Sequence, residues 1–405
     1  MIAREARVAA ATVAAACSIV LATGCSELPA GSLVWKQDLL GIKTALTSVV
    51  VYSPTDAIAI GHQLPEFALV ARPLSLRFSG TGWAEIPMPA VRSTAVLAAA
   101  PDEEGSIWAV GRSVSTEAEP FDPTPLVYHF EAGTWSAVAL DELGDQSGIV
   151  LTGVATAGRG ADLDVRAVGD SINQAGRIYR YAGGHWSAMA LPTDLEGAVW
   201  TVHAIAHTLG GAWYAVGRRA GETGGTILID EGTGWRIVAG PAIDVDWTAV
   251  ASDGRGVPYI AGNVPLATET QGVLYRQRRG SWVEVPIERR TSTTFHILGL
   301  GFDVEGNGWA VGGLDPGKPF FAGTTPSGWV ESQVEAEVEA HPEAEEVTGG
   351  DMTGIAVHTE NVAFAVGSAL ETGLEGESEF QPRIFRLTFR PAGETDLPPA
   401  PPSAP

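Results

Sequence analysis

A short apolar run closed by glycine recurs seven times along this chain. In a run such as "WAVG", from Trp108 to Gly111, neighbouring side chains alternate between two faces, and this period of two predicts a strand. The seven glycines lie about 50 residues apart, and an all-strand repeat of roughly that length is typical of a β-propeller. The closing glycines are Gly61, Gly111, Gly169, Gly217, Gly262, Gly312 and Gly367.

Two further signals divide each repeat into four strands, named A to D from the inside of the ring outwards. A glycine-containing turn followed by tryptophan indicates a C–D hairpin in six repeats. A threonine opens strand A in six repeats, and His296 takes that place in the sixth, so we expect a ring of these side chains at the mouth of the channel. The tryptophans are Trp83, Trp135, Trp186, Trp235, Trp282 and Trp329, and the threonines are Thr47, Thr94, Thr152, Thr201, Thr248 and Thr353.

The seventh repeat has no tryptophan-led strand D and is followed by Pro-rich residues 393–405, which are predicted to be disordered. Trp35, in "GSLVWKQDLL", has the setting of a strand D, so residues 32–39 are predicted to complete the last blade and remove an exposed sheet edge. The sequence therefore predicts an all-β, seven-bladed β-propeller of four-stranded blades over residues 32–392, with its last blade closed by an N-terminal strand.

The N-terminus has the pattern of an export signal. Two arginines precede an apolar stretch over residues 8–22, which is shorter than the roughly 20 residues of a membrane span. The sequence "LATGC" that follows resembles the lipobox of bacterial lipoproteins, although its Leu lies one position further upstream than is usual. The resemblance implies a signal peptide over residues 1–24, lipidation of Cys25, and a tether over residues 25–31. A plain secretory signal is the alternative.

The lipobox resemblance also implies a location. The chain is expected in the cell envelope, held to a membrane by its lipid alone, and Ser26 after the lipidated residue favours the outer over the inner membrane. The repeats themselves resemble those of bacterial propellers in the broad Asp-box and photosystem-assembly-factor group. True Asp-boxes are absent, since "YHFEAGTW" keeps only the Gly and the Trp. This resemblance implies the fold, and propellers serve many functions.

Composition limits the partners. The chain has 25 basic and 48 acidic residues, a net charge of −23, which disfavours nucleic acid and favours a partner with a basic surface. Its two cysteines, Cys17 and Cys25, both lie in or beside the predicted signal, so the mature propeller is expected to have no disulfide. The propeller is also expected to be monomeric.

Few side chains suggest a specific ligand. Trp200 and Trp247 precede strand A, where an exposed ring would stack on a carbohydrate. His203 and His207 are about 13 Å apart on an extended strand, too far to share a zinc ion. The loop with Asp303, Glu305 and Asn307 partly matches a calcium site but lacks the later bidentate acid, and an ordinary turn is the alternative. No other cofactor is expected.

The most acidic segment is the D–A connection over residues 331–351. Its carboxylates are expected to crowd the end of the ring that carries the long loops, either as a docking face or as a solvated fringe. These observations favour a non-catalytic envelope lipoprotein that serves as a binding or assembly scaffold for a protein or a carbohydrate. The alternative is a propeller hydrolase or lyase that acts on carbohydrate outside the cytoplasm. The acidic candidates are Glu335, Glu337, Glu343, Glu345 and Glu346.

Overall fold

The computed structural model describes most of the chain between residues 31 and 391. The described residues are 31–38, 44–63, 71–89, 91, 93–114, 122–171, 175–267, 269–290, 293–314, 318–332, 334, 344–373 and 378–391. The predicted signal peptide, Cys25 and the Pro-rich tail lie outside them, as do Glu335, Glu337 and Glu343. Contacts divide the chain into a unit of residues 33–388, which contains the propeller, and a unit that combines residues 1–32 with 389–405.

Seven sheets form the seven blades, and in each the strands follow one another from the inside outwards. Strand β1 (Gly31–Asp38) belongs to the last blade. Blade 1 contains β2 (Ala45–Ser53), β3 (Asp56–Gln63), β4 (Arg72–Phe78) and β5 (Trp83–Glu85). Blade 2 contains β6 (Thr94–Pro101), β7 (Ile107–Val114), β8 (Pro123–Glu131) and β9 (Thr134–Val138). Blade 3 contains β10 (Ile149–Ala157), β11 (Asp164–Ser171), β12 (Gly176–Ala182) and β13 (His185–Ala188).

The remaining blades repeat this arrangement. Blade 4 contains β14 (Trp200–His207), β15 (Trp213–Arg219), β16 (Gly225–Asp230) and β17 (Arg236–Val238). Blade 5 contains β18 (Asp246–Ser252), β19 (Pro258–Pro265), β20 (Thr270–Arg278) and β21 (Ser281–Glu284). Blade 6 contains β23 (Phe295–Phe302), β24 (Gly308–Leu314), β25 (Lys318–Thr325) and β26 (Gly328–Glu331), with β22 (Ile287–Glu288) parallel to β26. Blade 7 contains β27 (Ala344–Thr359), β28 (Val362–Gly373), β29 (Ser378–Pro391) and β1.

Helical structure among the described residues is limited to three single turns of 3-10 helix. They cover Asp141–Leu143, Gly160–Asp162 and Thr193–Leu195. The all-β, seven-bladed propeller of four-stranded blades predicted from the repeats is therefore confirmed.

Every strand A contains one extra residue that bulges opposite the glycine of strand B. In blade 4 the pairing steps from Val202 to Ala204, so His203 is the bulged residue and Gly217 faces Val202. A β-carbon on Gly217 would lie well under 3.0 Å from the carbonyl oxygen of Thr201, and the other six glycines face an equivalent carbonyl. This close approach of strand A explains why glycine recurs. The bulged residues are Thr47, Leu97, Thr152, His203, Thr248, Leu298 and Thr353.

The seven side chains of the predicted ring therefore do not share one register, because three of them are not the bulged residue. Thr94, Thr201 and His296 lie two or three residues before the bulge of their strands. The bulged residue precedes the closing glycine by 14 positions in every blade except the third, where the turn that contains Gly160–Asp162 lengthens the interval. The bulged position is therefore identified by its constant distance from the closing glycine and not by its residue type.

Where the bulged residue is threonine, its hydroxyl joins neighbouring blades. Thr47 Oγ1 donates to the carbonyl oxygen of Val96 in the next blade at 2.9 Å, and Thr353 Oγ1 donates to that of Leu46 at 3.0 Å, across the junction of the last and first blades. Thr152 and Thr248 make the same bond. These bonds pair carbonyl groups that the bulges leave outside the A–B ladder.

The strand predicted to close the ring is present. β1 pairs with β29, and the fully buried ring of Trp35 stacks on Phe321 of blade 6 with centroids 4.5 Å apart. Asp38 accepts hydrogen bonds from Arg386 Nε at 2.8 Å and from Trp83 Nε1, in blade 1, at 3.0 Å. One strand thus contacts the sixth, seventh and first blades, which confirms the closure.

One predicted loop is largely strand. Residues 344–351 of the acidic D–A connection lie in β27, so Glu345 and Glu346 belong to a strand and not to a loop fringe. β28 and β29 extend together with it, since Ala344 pairs with Gly373 and Thr372 with Ser378. The longer hairpin between β28 and β29 provides the backbone partners that turn this segment into a strand.

Replacing Trp35 by alanine is expected to lower the free energy of unfolding by about 3–5 kcal/mol, because a fully buried aromatic ring leaves a cavity at the closing strand. Denaturant titration measures the change. Trp282→Ala is the control, since Trp282 holds the same position in blade 5 but is only half-buried. Equal losses for the two variants would contradict a special role of the closing strand.

Gly217→Ala is expected to lower stability by at least about 1–3 kcal/mol, because the new methyl group would overlap the Thr201 carbonyl oxygen. Gly82→Ala is the matched control: a β-carbon there has no atom within 4 Å, and a change within about 0.5 kcal/mol is expected. Melting temperatures of the two variants test this, and similar values would argue against the bulge as the reason for the glycine.

Candidate functional site at the mouth of the ring

The two ends of the ring differ in the connections that they carry. Because the strands of a blade are antiparallel, strand A begins where strand B ends, beside the B–C and D–A connections; we call this the loop end. The A–B and C–D turns lie at the other, the turn end. The residues two positions before each bulge form the mouth of the ring at the loop end, and they are Ala45, Ala95, Val150, Thr201, Asp246, His296 and Asp351.

The mouth is chemically one-sided. Its residues are apolar in blades 1 to 3 and polar in blades 4 to 7. On the polar side, His203 Nε2 lies 3.1 Å from Asp246 Oδ1 in the next blade and 3.3 Å from the hydroxyl of Thr201. Asp170, which follows the glycine of blade 3, accepts the backbone N–H of Val202 at 2.7 Å. Three blades thus contribute titratable groups to one cluster.

The groups of this cluster shift each other's protonation. Burial, reinforced by the charge of Asp246, raises the pKa of Asp170 to about 6, although the N–H of Val202 and the charge of His203 oppose that shift. Burial lowers the pKa of His203, but its hydrogen bond to Asp246 and the charges of Asp246 and Asp170 outweigh burial, so the net pKa is raised. Asp170 and His203 therefore both hold their protons to a higher pH than they would in water.

A second histidine–aspartate pair bridges blades 6 and 7. His296 Nε2 lies 2.9 Å from Asp351 Oδ1, and both residues are mouth residues by register. The side chains of Asp246 and Asp351 are 38% and 40% exposed, so their carboxylates face solvent. Such a mouth can bind a cationic group through its carboxylates, and an imidazole held by a carboxylate can accept a proton from a ligand. His296 is a mouth residue by its register, two positions before the bulge of its strand.

The expected exposure of Trp200 and Trp247 is wrong. Their relative exposures are 2% and 0%, and both rings lie in the core between blades. Trp200 covers Gly176, and Trp247 covers Gly225, where a β-carbon would overlap each ring. Each of these glycines begins strand C of the preceding blade. Each indole therefore fills the space beside that backbone and is inaccessible to a ligand.

The calcium candidate is an ordinary turn. Asp303 Oδ1 accepts the backbone N–H groups of Glu305 at 2.9 Å and Asn307 at 2.8 Å, and its Oδ2 accepts the Asn307 amide. This turn joins strands A and B, so it lies at the turn end, away from the mouth. Across the described part of the chain, no group of three or more His, Cys, Asp or Glu side chains is placed to hold a metal ion.

A buried charged cluster at the turn end is structural. Arg166 lies between Asp164 and Asp230, with its guanidinium 2.7 Å from the Asp230 carboxylate and 4.3 Å from the centre of the Trp213 ring. Arg166 and Asp230 are almost completely buried, so no ligand reaches the pair. It joins blades 3 and 4.

Sequence reasoning missed Asp170, Asp246 and Asp351. Asp246 and Asp351 precede the closing glycine of their blade by 16 positions, as His296 does in blade 6, and Asp170 directly follows its glycine. Counting along the chain from each closing glycine would have found all three. The search for a threonine at the start of each strand A did not find them, because the polar mouth residues have no residue type in common.

No protein-family model matches the sequence, and a search of curated proteins finds no similar sequence. The fold is similar to that of solved structures. The polysaccharide lyase Uly1 has a TM-score of 0.53 at 12% identity, over 87% of this chain and 90% of the lyase. YCF48 bound to a D1 peptide has a TM-score of 0.39 at 13% identity, over 91% of this chain and 97% of YCF48. The six-bladed fucose-binding lectin of Aleuria aurantia has a TM-score of 0.46 at 12% identity, over 75% of this chain and 97% of the lectin. The propeller fold is thus shared with a polysaccharide lyase.

Asp246→Asn is expected to lower the pKa of His203, because the substitution removes the charge that stabilises the imidazolium. NMR titration of the histidine ring protons measures it. The folded-state pKa of His203 lies above its unfolded value of about 6.5, so the pair's contribution to stability is complete below that pH and is lost as the pH rises through the folded-state pKa. The variant should therefore lose more stability near about pH 6 than near about pH 9.

His207 provides the control in the same spectra. Burial and the charge of Arg166 lower the pKa of His207, whose ring is tilted against that of Trp213 at the turn end, and Asp246→Asn should leave this pKa unchanged. An unchanged His203 pKa, or equal shifts of both histidines, would refute the assigned cause.

Proposed function

We propose that this chain is a non-catalytic lipoprotein of the bacterial cell envelope that binds a basic protein partner with the loop end of its propeller. The observation that carries the proposal is the pair of partly exposed carboxylates, Asp246 and Asp351, held at the mouth by histidines of neighbouring blades. A net charge of −23 adds a long-range field that attracts a basic surface and repels an acidic one.

The envelope location rests on the N-terminal sequence. The lipobox-like "LATGC", with Cys25 as the lipidated residue, supports a lipid anchor, and Ser26 supports sorting to the outer membrane. No helix within the described residues has the length and the apolar character of a membrane span.

The second candidate function is a hydrolase or lyase that acts on extracellular carbohydrate. The hydrogen bond between Asp246 and His203 Nε2 favours it, because a carboxylate that orients an imidazole is a common arrangement for a general base. The two functions differ in what a substitution removes: the scaffold needs the carboxylate charges of the mouth, whereas the enzyme needs the imidazole of His203.

In-cell crosslinking tests the scaffold. A photo-crosslinking benzoylphenylalanine at Leu266, an exposed loop-end residue of blade 5, is expected to capture a discrete protein with a basic surface. Asp246→Asn/Asp351→Asn should reduce that capture about two- to thirtyfold, since each exposed charge pair contributes roughly 0.2–1 kcal/mol. Raised salt should reduce it as well, because the charges are solvent-exposed.

The matched control removes two charges from the other end. Glu103→Gln/Glu104→Gln neutralises exposed acids of an A–B turn and should leave capture unchanged. Equal capture by both double variants would overturn the assigned face. Cleavage of a polysaccharide panel by the wild type, with loss of activity in His203→Gln, would establish the second candidate instead.

A further inference from the structure

The chain enters the propeller at the turn end. Trp35 in β1 forms a parallel bridge with Val334, which follows strand D of blade 6. Blade 6 shows the same arrangement: Trp329 in its strand D pairs in parallel with Ile287, which follows strand D of blade 5. β1 therefore runs in the same direction as the other outer strands, from the turn end to the loop end. Leu33, the first residue of β1 that belongs to the propeller unit, therefore lies on the side of the A–B and C–D turns.

The A–B turns of blades 4 to 6 expose an unusual apolar surface. Leu209 is 75% and Val304 is 84% exposed, the highest values among the large apolar side chains that the structure describes. The turn of blade 5 lies between them, since β-carbons on Gly254 and Gly256 would contact the Val304 carbonyl and Leu209 respectively. Leu209, Val304 and the exposed Arg255 at the tip of the intervening turn form one surface, which we call the turn patch.

Three exposed arginines lie at the turns of blade 5 although the chain is acidic. Arg255, and Arg278 and Arg279 at the C–D turn of blade 5, are exposed, and none of the three forms an ion pair with another described residue. The nearby Asp253 carboxylate accepts N–H groups of its own turn, from Arg255 and Val257, as Asp303 does in blade 6. Glu305 is exposed and Asp253 is partly exposed in these turns, so charges of both signs lie beside the apolar tips.

The opposite sector of the turn end has the reverse character. The A–B turn of blade 2 contains Asp102, Glu103 and Glu104, and its C–D turn begins with Glu131. The net charge of the chain predicts repulsion from anionic lipid, but the turns of blade 5 hold three exposed arginines that form no ion pair with another described residue. Apolar tips combined with unpaired arginines match the boundary between headgroups and acyl chains of an anionic bilayer.

The point where the chain arrives adjoins this sector. Trp35 packs edge-on against Trp309 with centroids 5.0 Å apart, and Trp309 is the second residue of strand B, after the blade 6 turn that contains Val304. Cys25 precedes Leu33 by eight positions, which span at most about 28 Å when extended. A lipid on Cys25 would hold the turn end within that distance of the membrane surface.

We propose that the turn patch of blades 4 to 6 rests on the headgroups of an anionic lipid bilayer, so that the mouth with its histidine–aspartate pairs points away from the membrane. The proposal rests on the lipid anchor of the proposed function. A single lipid chain gives only marginal membrane binding, and a second contact of apolar and basic residues makes it durable. The orientation leaves the carboxylates of the mouth open to a soluble partner.

Site-specific crosslinking to lipid tests the orientation. The full chain is anchored to phosphatidylcholine–phosphatidylglycerol vesicles, with a photo-crosslinking benzoylphenylalanine at Leu209 or Val304, or at Val199 or Leu266 as exposed apolar controls of the loop end. Lipid adducts are expected at Leu209 and Val304 and near background at the two controls. Equal yields at both ends, or higher yields at the loop end, would overturn the proposal.

A charge test completes the experiment. Arg255→Glu, or vesicles of phosphatidylcholine alone, should lower the adduct yield at Val304 about fivefold, the effect expected of a basic residue near an anionic surface. Arg72→Glu, at the loop end of blade 1, is the matched control and should leave the yield unchanged. A yield that does not respond to Arg255→Glu would contradict the basic component of the patch.

Failure of the anchor and failure of the orientation are distinguishable. The mass of the N-terminal peptide from cells reports whether Cys25 carries lipid. A second set of vesicles couples Cys25 of the full chain to a maleimide phospholipid, which supplies the same tether whether or not the cell lipidates it. An unlipidated peptide with turn-end adducts on these vesicles would refute the natural anchor alone, and a lipidated peptide without such adducts would refute the orientation alone.

Discussion

The fold depends on the extra residue that each strand A carries opposite the glycine of strand B. The bulge pushes a strand A carbonyl into the space that a side chain of strand B would occupy, so glycine is required there in all seven blades. The same bulge displaces one side chain of strand A from the ladder, and in four blades that side chain is a threonine bonded to the next blade. The seven-fold repeat of the sequence thus records a backbone constraint.

The mouth is built on that constraint. His203 is itself a bulged residue, and its partner Asp246 lies two positions before the next bulge, so the register of two inner strands brings the pair together. Asp170 joins them because it follows the glycine that faces the bulge of blade 3. Chemistry varies from blade to blade at positions whose backbone geometry is constant, which is how a repeated fold acquires a one-sided site.

The sequence allowed the blade number, the strand order and the closing strand to be predicted, because glycine, tryptophan and alternation follow from backbone and core packing. The site was predictable only in part. His296 was placed at the mouth for the wrong reason, since a resemblance to the threonines of other blades is not its register. Trp200 and Trp247 were expected to be exposed because they precede or begin strand A, but the gaps between blades are filled there by whichever large side chain faces a glycine. The pairing of residues 344–351 depended on strands whose extension no local pattern indicates.

The histidine–aspartate pairs have a consequence for any cationic partner. On the proposed function, a lysine or arginine of the partner and the imidazolium of His203 compete for the carboxylate of Asp246, which already holds the histidine at 3.1 Å. Protonation of His203 and of Asp170 lowers the negative charge of the mouth, and deprotonation restores it. Because the pKa of Asp170 is raised to about 6 and that of His203 is raised above its ordinary value, both groups hold their protons to a higher pH than they would in water. Affinity for a cation at the mouth then rises with pH as these protons are lost, whereas a general base at His203 would gain activity only by losing the same proton. The scaffold and the enzyme therefore depend on one titration, and only the response to removal of the imidazole separates them.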